Sequence, residues 1–265
     1  MSATATALVT AAAVVTALMV VVWVVSVWRR DASIVDLVWG LGFVLVAWAV
    51  RLTVEGDPAR QWLLVGMVTV WGLRLSGYLV WRNHGRGEDF RYQAMRRRWG
   101  ARFWWVSLLT VFALQGALMW VVSLPVQLGQ VPDSPGLGVL AGIGVALWAA
   151  GMAFETVGDA QLARFKADPD NAGRVMDRGL WRWTRHPNYF GDACVWWGIA
   201  LVAAESGLGA IGIVGAVVMT ILLRRVSGVT LLERSMRRRP GYDDYVTRTS
   251  PFVPRPPRPM ASRDG

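Results

Sequence analysis

Two sets of residues in this chain have types and spacings that could do chemistry. The denser is the run Gly179-Leu180-Trp181-Arg182-Trp183-Thr184-Arg185-His186-Pro187-Asn188-Tyr189-Phe190-Gly191-Asp192. Proline suits the first turn of a helix, where a missing N–H is no loss, so a helix is expected to start at Pro187 with unsatisfied amides and a positive dipole end. Arg185 and His186 flank that end, and arginines at a helix N-terminus form a site for phosphate or another anion. Asn188 and Asp192, four apart, share a face, so Asp192 offers an acceptor to an amide or ribose hydroxyl further along. The plainer reading is a basic, tryptophan-rich helix start anchored at a bilayer surface. It accounts for Trp181, Trp183 and Arg182 and leaves Asn188 and Asp192 unexplained.

The second set is Asp36, Arg74 and Tyr78, with Glu155 and Asp159 as further isolated acids. Arg74 and Tyr78 stand one helical turn apart, so a guanidinium and a phenol can enter the same cavity, and a phenol held beside a charge can donate a proton. The plainer reading pairs Asp36 with Arg74 to hold two helices together.

The elements that must position these groups follow from composition. The 265 residues are 54% hydrophobic with a mean hydropathy of +0.36, and the apolar residues come in blocks long enough to cross a bilayer. Seven spans are expected near 6–28, 33–51, 61–81, 103–124, 136–158, 188–204 and 208–224, an all-α polytopic bundle. Asp36 then lies in the second span, Arg74 in the third, Glu155 and Asp159 at the end of the fifth and Asp192 in the sixth. Uncompensated burial there costs about several kcal/mol per charge, which makes each a functional candidate. Many of the 16 tryptophans, including Trp28, Trp62, Trp81, Trp104 and Trp105, fall near span ends, where an amphipathic ring favours the headgroup layer.

Orientation follows from the 28 basic residues. The segments after spans one, three, five and seven hold 25 of them; Arg51 and Arg60 fall in the alternate loops and Arg74 within a span. By the positive-inside rule the N-terminus lies outside and the C-terminus in the cytoplasm, which requires an odd number of crossings. The net charge of +10 is thereby explained by topology, and nucleic acid is excluded as a partner. The first apolar stretch has its basic residues behind it rather than ahead and shows no small-residue cleavage site, so it is expected to stay attached. A single cysteine, Cys194, excludes an intrachain disulfide and a CxxC metal site, and no metal is expected.

Gly207-Leu208-Gly209-Ala210-Ile211-Gly212 matches a dinucleotide-binding pattern, yet no strand precedes it and no acid follows at the right distance, so it reads as helix packing. Gly138 and Gly142 read the same way. Short helices are expected within 86–99 and around 228–239. The proline-rich end, residues 255–265, is expected to be disordered.

The Thr184-Arg185-His186-Pro187-Asn188-Tyr189-Phe190-Gly191-Asp192 run and the ending Arg239-Pro240-Gly241-Tyr242-Asp243-Asp244-Tyr245 resemble the bacterial branch of the steroid 5-alpha-reductase superfamily. So do the upstream segments Ser33-Ile34-Val35-Asp36-Leu37-Val38-Trp39-Gly40, Trp71-Gly72-Leu73-Arg74-Leu75 and Gly87-Glu88-Asp89-Phe90-Arg91-Tyr92. The resemblance implies one membrane domain over 1–254, with residues 1–130 on the substrate side and 131–254 forming a cytoplasmic NADPH-binding half. It also implies a place in the cytoplasmic membrane of a bacterium and hydride delivery to a carbon–carbon double bond of a hydrophobic lipid or steroid-like substrate. The cofactor contacts it implies are Asp159, Arg164, Lys166, Trp181, Arg185, His186, Asn188, Tyr189, Asp192, Arg224, Glu233 and Tyr245. Steroid reductases of this kind place a glutamate in the second span and a tyrosine in the third. Asp36 and Tyr78 are the nearest matches here, Tyr78 as proton donor and Asp36 as the group that orients it. Two other readings share the fold. One is an S-adenosylmethionine-dependent methyltransferase of the isoprenylcysteine or phospholipid type, and the other a membrane protein without catalysis.

Overall fold

A computed structural model describes residues 1–131, 136–226, 229, 233, 236–237 and 239–258. Among these there is no strand, only an isolated bridge between Thr184 and Ser250, and the regular structure is helical. Five helical stretches are long and apolar enough to cross a membrane, which makes the chain an integral membrane protein: Ala3–Arg29, Pro58–Asn83, Phe90–Val122, Val139–Ala167 and Gly209–Val226.

The elements used below are α1 (Ala3–Arg29), α2 (Ile34–Leu37), α3 (Trp39–Thr53), α4 (Pro58–Asn83), α5 (Phe90–Trp99), α6 (Phe103–Ser107), α7 (Leu114–Val122), α8 (Leu124–Leu128), α9 (Val139–Ala167), α10 (Pro187–Ala203), α11 (Ile213–Ile221) and α12 (Tyr242–Arg248). Two expected spans form helices shorter than the five. The 33–51 segment breaks at Val38 into α2 and the 15-residue α3, and the 188–204 segment is the 17-residue α10. The short helix expected within 86–99 is α5. Its Asp89 cap accepts from the Arg91 amide, and it runs on through a π turn at Leu108–Ala113.

The chain forms two compact units that interleave in sequence. Unit 1 comprises Met1–Gly144 with Ile199–Gly215, and unit 2 comprises Val145–Gly198 with Ala216–Gly265.

Unit 1 is built on the contact of α3 with α4. A Cβ added to Gly40 would stand 2.3 Å from the Gly72 carbonyl oxygen, and one added to Gly72 would stand 2.5 Å from that of Gly40. Two backbones in direct contact leave room only for glycine on both sides. Phe43 and Trp71, fully buried, pack edge to face beside this crossing, with centroids 5.6 Å apart. Arg60, assigned from the sequence to an outer loop, is fully buried, and its Nε donates to the Gly129 carbonyl at 2.7 Å. The dinucleotide-like glycines do serve packing: Gly212 lies against Pro125 and Gly209 against the Ala203 carbonyl. Gly142, expected to pack, meets nothing within 4 Å, and Gly138 instead makes room for the Glu205 carboxylate, which accepts from the Ala141 amide at 2.7 Å.

In unit 2 the α9–α10 contact is equally tight, since a Cβ on either Gly151 or Gly191 would stand 2.5 Å from the other's carbonyl oxygen. One consequence is that the Glu155–Asp159 turn of α9 lies along the start of α10. The C-terminal segment is bound back onto that start. Arg185 N donates to Ser250 O at 2.9 Å, Thr184 Oγ1 to Phe252 O at 2.8 Å and Arg255 N to Trp183 O at 3.0 Å. The tail expected to be disordered is thus held as far as Arg258, and residues 259–265 lie outside the described part. Of the helix expected around 228–239, Val229, Glu233 and Met236 are helical, and most of the rest lies outside the described residues.

Candidate functional site

In unit 2 the start of α10 gathers the polar groups. Asn188 Nδ2 donates to Asp159 Oδ1 at 3.0 Å, while its own Oδ1 accepts from the Tyr189 amide at 3.0 Å, so this amide is oriented from both ends. Asp159 is buried, and Gly158 beside it packs on Pro187. The His186 ring is buried, stacks on Tyr189 with centroids 5.5 Å apart, and places Nε2 3.2 Å from Glu233 Oε1. The same oxygen accepts from Arg185 Nε at 2.8 Å.

Burial alone would raise the Glu233 carboxyl, but the hydrogen bonds from His186 and Arg185 outweigh it and hold the group at about 2. Glu233 is therefore ionised at neutral pH and can only accept, which puts a proton on His186 Nε2. His186 Nδ1 is buried with no hydrogen-bond partner among the described residues. In the neutral ring it is an acceptor awaiting a donor.

Three of the residues expected to hold a cofactor also make bonds within unit 2. Arg185 also donates through Nη1 to the carbonyls of Val246 at 3.1 Å and Thr249 at 2.7 Å, so it rivets the C-terminal segment. Trp181 is buried and donates through Nε1 to Gly158 O, while its carbonyl accepts from the Tyr245 hydroxyl at 2.6 Å. Tyr245 is buried as well, and burial pushes its phenol upward. Spacing cannot show that these donors are already spent, because their partners lie 23 to 64 residues away. Asp192 is half-buried on α10, Arg164 and Lys166 are exposed in the last turn of α9, and the Arg224 guanidinium stacks 5.3 Å over Phe252.

Unit 1 contains the other cluster, and its partners differ from those expected. Asp31 Oδ1 accepts from the Ser33 amide at 2.9 Å and opens α2, which carries Asp36. Glu88 bonds the Ala32 amide at 2.8 Å and Arg96 Nη2 at 2.8 Å, so the start of α2 is tied to α5. Burial would raise the Glu88 carboxyl, but these bonds lower it below its usual range. Asp36 is thereby brought to the first turn of α5. Its Oδ2 accepts from Arg91 Nη2 at 2.7 Å and its Oδ1 from the Tyr92 hydroxyl at 2.7 Å. Gln115 Nε2 donates to the Tyr92 oxygen at 3.2 Å, and Gln115 Oε1 accepts from the Trp39 indole.

Both of these Asp36 bonds run to α5, one on each carboxylate oxygen. Tyr78 lies between Arg74 and Arg82, whose guanidinium carbons stand 5.4 and 5.7 Å from its ring. Tyr92, Arg91 and Gln115 are the residues that sequence reasoning missed. The signals available were the Asp89 cap, which places Arg91 and Tyr92 in a first helical turn, and a lone amide inside an apolar run. The described residues hold no group of three histidine, cysteine or acidic side chains placed to bind a metal.

Residues 22–249 match the model of a family described as a protein of unknown function, DUF1295. An uncharacterized protein of the fission yeast Schizosaccharomyces pombe is 26% identical, over 89% of this chain and 76% of its own length. No solved structure matches the chain.

Proposed function

The chain belongs to the DUF1295 family, within the steroid 5-alpha-reductase-like superfamily, and on that premise we propose that it is an NADPH-dependent membrane reductase of a carbon–carbon double bond. The observation that carries this reading is the Tyr92 phenol, fixed between Asp36 and Gln115 as a proton donor, which reduction of an alkene requires and methyl transfer does not. The substrate is a hydrophobic lipid or steroid-like molecule entering sideways between helices. The chain crosses the membrane seven times with its N-terminus outside. The charge distribution supports that count, as does the length of α2 with α3, while α10 sits at the lower limit of about 17 residues. The resemblance to bacterial reductases supports a cytoplasmic membrane location.

The donor set at the α10 start suits a dinucleotide. Asn188, fixed by Asp159, presents an amide; Asp192 presents a carboxylate one turn on; and His186 Nδ1 is a buried acceptor to which a carboxamide or ribose hydroxyl can donate. When bound, NADPH supplies the hydride that adds to one carbon of the double bond. Asn188, His186 and Asp192 hold and orient it, and Glu233 fixes the His186 tautomer. In unit 1 the Tyr92 O–H, held on Asp36 with Gln115 steadying the phenol oxygen, is the proposed proton donor. Asp36, balanced by the partly exposed Arg91, then returns a proton to Tyr92 from water.

Purified protein in detergent, titrated with NADPH and followed by nicotinamide fluorescence, tests the reading. Saturable NADPH binding at micromolar levels with none for S-adenosylmethionine is expected. The reverse result would replace the reductase with a methyltransferase.

A further inference from the structure

The C-terminal strap of unit 2 builds a second site. Between Val253 and Pro259 the sequence is Pro254-Arg255-Pro256-Pro257-Arg258, so only two residues carry a backbone N–H. Both are used: Arg255 N donates to Trp183 O and Arg258 N to Arg248 O, each at 3.0 Å. The strap thus closes one wall of a cleft of about 670 Å³ lined by Asp177, Arg178, Gly179, Arg182, Arg248 and Arg258, together with Thr249 and Pro257. That volume lies in the range of about 300–1,000 Å³ typical of small-molecule sites.

The charges in this cleft are unbalanced. Elsewhere three arginines each have a carboxylate partner, Arg91 with Asp36, Arg96 with Glu88 and Arg185 with Glu233. Here four guanidinium groups share one carboxylate, Asp177, which lies 3.4 Å from Arg248, leaving an excess of three positive charges. Arg178, Arg182 and Arg258 have no carboxylate partner among the described residues. Guanidinium forks converging on one space form a receptor for phosphate oxygens. Beside Arg182, Trp183 is 46% exposed, and an exposed indole next to an arginine is the pairing favoured at the headgroup layer of a bilayer.

We propose that this cleft binds the phosphate of an anionic phospholipid headgroup, through residues other than those assigned to the reductant. The full chain in maltoside detergent is titrated with dioctanoyl-phosphatidylglycerol, dioctanoyl-phosphatidylcholine and inorganic phosphate, with tryptophan fluorescence as readout. Saturable binding of phosphatidylglycerol is expected, at least tenfold tighter than phosphatidylcholine. The Arg182→Gln/Arg258→Gln double variant should weaken it at least tenfold, Arg178→Gln should weaken it too, and the exposed pair Arg97→Gln/Arg98→Gln should leave it unchanged. Equal weakening by the two double variants would reduce the effect to net charge and overturn the proposal. Inorganic phosphate bound as tightly as phosphatidylglycerol would overturn the lipid assignment in favour of a soluble phosphate. A tenfold loss of NADPH affinity in Arg182→Gln/Arg258→Gln would return these arginines to the reductant site and overturn it as well.

Discussion

Asp36 and Tyr92, 56 residues apart, share a 2.7 Å hydrogen bond in which the phenol donates and the carboxylate accepts. Under the proposed function that bond makes Tyr92 a candidate proton donor beside the expected Tyr78, and the two phenols give opposite expectations. Tyr92→Phe should lower turnover by about 10²–10⁴-fold, the usual contribution of a positioned general acid, with NADPH affinity intact. Tyr78→Phe should stay within a few-fold of wild type. NADPH oxidation on lipid extract from a deletion strain separates them, and full activity in Tyr92→Phe would remove the phenol from the mechanism.

Asn188→Ala should raise the NADPH dissociation constant about tenfold or more, because it removes an amide oriented by Asp159. His186→Phe, which keeps the stacking on Tyr189 but deletes Nδ1, should do the same. Unchanged binding in both variants, with helicity retained by circular dichroism, would place the reductant elsewhere.

Glu233 fastens Arg185 and His186, and its carboxyl is held at about 2 against an ordinary value near 4.5. A carboxylate lowered on folding contributes stability that is fully present above its unfolded value and is lost as pH falls through the folded one. Protection of the 249–255 segment in hydrogen exchange should therefore be constant above about pH 4.5 and decline toward pH 2. Glu233→Gln should show the low protection at pH 7, with a loss of about 1–3 kcal/mol. An identical pH profile in wild type and Glu233→Gln would refute the link.

Gly40→Ala should destabilise the protein by about 1–3 kcal/mol, since its methyl would enter the Gly72 carbonyl. Gly142→Ala, with open space around it, should be neutral or slightly stabilising through helix propensity. Thermal denaturation in detergent compares them, and equal melting temperatures would contradict the tight α3–α4 crossing.

The membrane helices were legible because a crossing demands a long apolar run, and such runs stand out in composition. The break at Val38 was not, because Ile34, Val35, Leu37 and Val38 are as apolar as a continuous span, and the kink is set by Asp31 and Glu88 fixing the preceding turn. At the sites, helical spacing identified neighbours on one helix, such as Arg74 with Tyr78 and Asn188 with Asp192. It could not find Tyr92 for Asp36, nor that Arg185 spends its donors on residues 48 to 64 positions later, because only tertiary packing creates those contacts. The tail misled for a related reason. Its prolines do lack donors, but the amides of Arg255 and Arg258 hold the part up to residue 258.

The rivet at Arg185 also sets an order of assembly. A nascent chain synthesised as far as the end of α10 owns Asp159, His186 and Asn188, yet Glu233, Val246 and Thr249 are still to come. Until they arrive, the guanidinium and the imidazole have no acceptor to settle on. The pocket is therefore a late event of biogenesis, closing behind the helices as a clasp fastens after the pages are bound.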